Sequence, residues 1–64
     1  MNFSNKLKEV RLERNLTEKQ VAELVGIHPK TYKKYENGKT VPRIPIARNL
    51  CIALNISCDE LLEL

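Results

Sequence analysis

Sixty-four residues make one domain near the small end of what folds alone, able to bury only ~60% of its unfolded surface. Cys51 and Cys58 fit no metal-ligand spacing and no disulfide framework, the opening Met-Asn-Phe-Ser-Asn has no apolar signal core, and no run reaches membrane-spanning length. Secreted disulfide scaffolds and membrane proteins are thereby excluded, and a reduced, cytosolic protein is expected. The net charge of +3 is uneven: residues 28–43 set five cations against Glu36, residues 1–27 carry +1 and residues 44–64 carry −2. Basic charge gathered on one stretch is what a polyanion-binding face requires.

The first helix is expected from about Phe3 to Arg14, with Phe3, Leu7 and Val10 buried and Arg11 on the same side. Asn15, which tolerates a left-handed backbone, can close it. Residues 18–37, EKQVAELVGIHPKTYKKYEN, then read as two short helices joined by a tight turn. Thr17 and Gln20 form a capping box, and Leu16 with Val21 a hydrophobic staple. Ala22 is small enough for a close helix crossing. Gly26 falls where a helix end wants positive φ, and Pro29 where a first helical residue would lie. His28 occupies the cap position before Pro29, where it can cap weakly or contact a phosphate.

Projected at ~100° per residue, the second helix of this pair has two faces. Lys30, Lys33, Lys34 and Asn37 share one; Tyr32, Tyr35 and Glu36 share the other. Val21, Val25, Ile27, Tyr32 and Tyr35 are the inward positions of such a corner. A helix that buries tyrosines and presents three lysines suits a DNA major groove. Gly38 ends it, and residues 39–42 form a connecting loop.

A fourth helix is expected between about Ile44 and Leu54, with Pro45 tolerable only in its first turn. Ile44, Ala47, Leu50, Cys51 and Leu54 make its inward stripe, Cys51 acting as a small buried hydrophobe. Ile46 and Ile52 lie off that stripe. The last helix has a capping box, Ser57 with Glu60, and a staple, Ile56 with Leu61. Leu62 and Leu64 have no obvious place within the chain. Together Ile46, Ile52, Leu62 and Leu64 are the unspent apolar residues, the candidate contacts of a homodimer.

The whole chain resembles the Cro-type helix-turn-helix family of phage and bacterial repressors, also called XRE-like. The matching residues are Arg11, Leu16-Thr17, Val21-Ala22, Gly26-Ile27, Glu36-Asn37-Gly38-Lys39, Pro42 and the run from Leu54 to Leu61. The resemblance implies an all-α fold: a compact five-helix bundle over residues 1–64, like the lambda-repressor DNA-binding domain, with its motif at residues 18–37. It implies a buried ion pair between Arg11 and Glu36. Base contacts pass by the same resemblance to Pro29, Lys30, Thr31, Lys33 and Lys34. Phosphate contacts pass to Asn37, Lys39, Arg43 and the start of the second helix, with Thr17 and Gln20. Glu18 departs from the pattern, since many relatives have Gln there and a carboxylate cannot donate to a phosphate.

No catalytic constellation is present: the single histidine sits at a helix cap and two glycines make no phosphate loop. No cofactor is expected, and a lone histidine without a second ligand makes no metal site. The expected function is sequence-specific binding of double-stranded DNA by a transcriptional regulator, a repressor acting as a homodimer on a palindromic operator. Two alternatives stay open. One is an antitoxin that binds a toxin and represses its own operon; the other is a helical adaptor that binds only protein.

Overall fold

The computed structural model describes residues 3–62, which form α1 (Phe3–Glu13), α2 (Glu18–Val25), α3 (Pro29–Glu36), α4 (Ile44–Leu54) and α5 (Cys58–Leu62). No strand occurs among the described residues. The all-α, five-helix reading holds, with α1 ending at Glu13 and Arg14 already in the turn.

One backbone device closes each of the first four helices. Asn15, Gly26, Gly38 and Asn55 adopt φ of 59°, 83°, 75° and 53°. The next residue then sends its N–H back five positions: Leu16 to Arg11, Ile27 to Ala22, Lys39 to Lys34 and Ile56 to Cys51, at 3.0–3.2 Å. These bonds satisfy carbonyls that a helix end would otherwise leave orphaned. Leu16, Ile27 and Ile56 pack on the core as they return, which adds the apolar contact this motif favours. Lys39 does not; after α3 the closing residue is an exposed cation. Gly26 is needed for its φ alone, since a Cβ there would meet nothing within 4 Å.

The five helices surround one core. α2 packs on α3 and α4, α1 on α3 and α5, and α4 on α5. Leu7, Val21, Ala22, Tyr32, Leu50, Leu54 and Leu61 are fully buried at its centre. Fully burying one such leucine contributes ~1.5–3 kcal/mol, and cutting Leu50 to Ala would cost ~2–5 kcal/mol.

Three apolar positions differ from the sequence reading. Ile44, placed on the inward stripe, is 75% exposed at the first position of α4. Ile46, placed off the stripe, is half-buried against the core instead. Leu62 also finds partial cover within its own chain, next to the buried Leu61. Leu64 lies outside the described residues.

Candidate nucleic-acid interface

The start of α3 is set by His28, whose backbone is extended at φ −70°, ψ 140°. Its Nδ1 accepts from the Lys30 N–H at 3.1 Å. Of the two roles open to His28, capping is therefore occupied, and Nε2–H is the ring's remaining donor. Pro29 follows as the first helical residue and, like Thr31, is half-buried. Lys30, Lys33 and Lys34 are exposed. No salt bridge among the described residues engages any of them. Asn37, Lys39 and Arg43 continue the exposed surface beyond the helix. The Lys39 N–H bonds the Lys34 carbonyl at 3.0 Å, so the loop cation is tied to the end of the lysine face.

The opposite face of α3 is fixed by a polar cluster inside the domain. Arg11 Nε donates to Glu36 Oε2 at 2.6 Å and Arg11 Nη2 to Glu36 Oε1 at 3.2 Å, a two-pronged ion pair. Arg11 Nη1 donates to the Leu16 carbonyl at 2.8 Å, and the Tyr32 hydroxyl donates to Glu36 Oε2. The carboxylate side chain is only 3% exposed and that of Arg11 10%. Every buried polar side-chain atom among the described residues has a partner, as an ion pair this far from water requires. The hydrogen bond to Glu36 holds the Arg11 guanidinium above its ordinary range. Burial first, and then the bond to Glu36, push the Tyr32 hydroxyl far above that of a free tyrosine.

At the start of α2, Thr17 Oγ1 accepts from the Gln20 N–H at 3.0 Å, and Gln20 Oε1 accepts from the Thr17 N–H at 2.8 Å. This box occupies acceptors only. The threonine O–H and the glutamine NH₂ remain as donors on exposed residues. Glu18, the departure from the family pattern, is half-buried and adds a smaller coulombic pull on Arg11.

A helix-turn-helix family model matches residues 7–61. The chain belongs to the Cro-type helix-turn-helix family. It is 32% identical over 61 residues to the cryptic phage CTXphi transcriptional repressor RstR of Vibrio cholerae, covering 95% of this chain and 55% of the repressor. It is 32% identical over 63 residues to the HTH-type transcriptional activator BcrR of Enterococcus faecalis, covering 98% of this chain and 31% of BcrR. The chain thus spans about half of the first relative and a third of the second. The crystal structure of the P22 c2 repressor protein in complex with a synthetic operator has the same fold, with a TM-score of 0.93 at 21% identity, covering 98% of this chain and 96% of that one.

Two site residues escaped the sequence reading. The helical pattern places Tyr32 in the apolar core, although its spacing of four from Glu36 is the one at which helical side chains meet. Arg14 stands in the sequence only as a helix end, yet its Nε donates to the Leu54 carbonyl at 2.8 Å and its Nη2 to the Asn55 carbonyl at 3.2 Å. It stitches the end of α1 to the end of α4, a long-range pairing that no local pattern signals. Of the candidate dimer contacts, Ile52 is 71% exposed, whereas Ile46 and Leu62 are half-covered by their own chain.

Proposed function

We propose that residues 1–64 are one domain that binds double-stranded DNA sequence-specifically, as a transcriptional repressor working in the cytoplasm. The observation that carries this reading is the pair of faces of α3. The inner face is locked through Glu36 to Arg11, and the outer face offers exposed Lys30, Lys33 and Lys34, which make no salt bridge among the described residues. A helix held by its inner face keeps its outer side chains in register for a groove. In this reading lysine donors reach guanine O6 and N7, and Pro29 and Thr31 pack near the thymine methyl. Asn37, Lys39, Arg43, the His28 Nε2–H, Thr17 and Gln20 contact phosphates and fix the docking. The similarity to RstR, named a transcriptional repressor, supports the same reading.

The domain is proposed to act as a symmetric dimer on a palindromic operator. Its longest dimension is 26 Å, shorter than the ~34 Å between successive major-groove faces. One copy therefore reads one half-site. Selection of bound sequences from random duplex DNA, followed by titration across salt, tests the function. An enriched two-fold motif with steep salt dependence is expected. No enrichment, with binding indifferent to salt, would leave a protein-binding adaptor as the better description.

A further inference from the structure

Both cysteines of the chain meet at the junction of α4 and α5. Cys51 is buried, and Cys58, the first residue of α5, is partly exposed. The left-handed turn at Asn55 and the Ile56 N–H to Cys51 carbonyl bond of 3.1 Å bring the returning chain back beside Cys51. The two cysteines line one open cavity of about 520 Å³ together with Arg48 and Ser57. Burial first, and then the neighbouring Cys58 side chain, push the Cys51 thiol up to about 12. The pair is unequal: Cys58 meets solvent, and Cys51 keeps its proton behind it.

We infer that Cys51 and Cys58 are a thiol-modification site, in which a hydroperoxide oxidises Cys58 and Cys51 then closes on it as a disulfide. In the first step the Cys58 sulfur, as thiolate, attacks the terminal peroxide oxygen. The O–O bond breaks, Cys58 becomes a sulfenic acid, and the alcohol or water leaves with a proton from solvent. In the second step the Cys51 sulfur attacks the Cys58 sulfur. The S–S bond forms, the S–O bond breaks, and hydroxide departs as water with the Cys51 proton. Two thiols lose two electrons and two protons, and the peroxide takes them up. Arg48 lies on the wall of the same cavity.

Treatment of the full chain with equimolar hydrogen peroxide, read by intact mass spectrometry and maleimide labelling, tests this. A monomer lighter by two hydrogen atoms, unlabelled by maleimide and restored by dithiothreitol, is the expected product. Cys51→Ser should stop at a sulfenic acid on Cys58 that dimedone traps, and Cys58→Ser should resist the same dose. Cys51→Ala serves as the trapping variant if the buried serine prevents folding. Disulfide-linked dimers, sulfinic acid on Cys58 with Cys51 still labelled, or first reaction at Cys51 would each overturn the assignment.

Discussion

Tyr32 and Glu36 stand one helical turn apart on α3, and the tyrosine hydroxyl donates to Glu36 Oε2, the oxygen that Arg11 Nε also reaches at 2.6 Å. One carboxylate thus gathers a guanidinium from α1 and a phenol from its own helix. Removing it takes the acceptor from the Tyr32 hydroxyl and the counter-charge from Arg11, which keeps only the Leu16 carbonyl. Glu36→Ala should cost ~3–5 kcal/mol, the scale of an uncompensated buried charge. That is a large share of the whole stability of so small a domain. Urea denaturation of Glu36→Ala and Arg11→Ala measures it. A loss below ~1 kcal/mol, typical of an exposed pair, would show that the cluster is not holding α1 to α3.

The same cluster makes stability depend on alkaline pH. Burial, and then the bond to Glu36, raise the Tyr32 hydroxyl in the folded chain, while in the unfolded chain it titrates near ~10. Folding therefore favours the protonated phenol. The stabilisation is fully present below the unfolded value and is lost as pH rises past it toward the folded one, because only the unfolded state releases the proton. Melting temperature should fall above about pH 10. Tyr32→Phe, which has no proton to release, should flatten part of that fall. Parallel curves for the two proteins would exclude Tyr32 as its source.

Reading and positioning should separate on α3 and its loop. Lys30 and Lys34 lie one turn apart on the exposed face, so their alanine variants should lose base preference as well as affinity. Each specific contact is worth ~1–3 kcal/mol of discrimination. Lys39→Ala, beyond the helix, should weaken all duplexes alike and lower the salt slope by ~1. Competition binding with the selected operator against random duplex distinguishes the two. Equal losses on both DNAs for Lys34→Ala would remove it from the readers.

Local rules made the helices legible. The capping box of Thr17 and Gln20 and the glycines after α2 and α3 each satisfy orphaned backbone groups within a few residues, and the proline that opens α3 has no N–H to leave unpaired. Asn55 was harder to read. It holds φ of 53°, a conformation glycine adopts freely and asparagine tolerates better than most other side-chain-bearing residues. Asn55→Gly should therefore be neutral or stabilise the chain by under ~1 kcal/mol, checked by thermal melts. The exchange of Ile44 for Ile46 on the inner side of α4 was not legible, because periodicity gives a face but not where along the axis the neighbouring helices stop. Arg14 on the carbonyls of Leu54 and Asn55 was hidden for a similar reason: its partners are 40 and 41 residues away.

The fold redirects the proposed dimer surface. Among the described candidate contacts, Ile46 and Leu62 are half-covered by their own chain, whereas Ile52 is fully available. Ile44, at 75% exposure, joins it. The two are eight residues apart on α4, within ~80° around the axis and ~12 Å along it, close enough to belong to one contact. Single exposed isoleucines are ordinary on protein surfaces; two on one helix, in a domain too short to span two half-sites, favour a shared interface. Ile52→Lys should give monomers with unchanged helical content and much weaker binding to paired half-sites, while binding to a single half-site persists. Ile44→Lys should act in the same direction. Sedimentation and circular dichroism measure the first part, and operator titration the second. A wild type that stays monomeric at tens of micromolar, with no cooperativity between half-sites, would move recognition to the isolated domain.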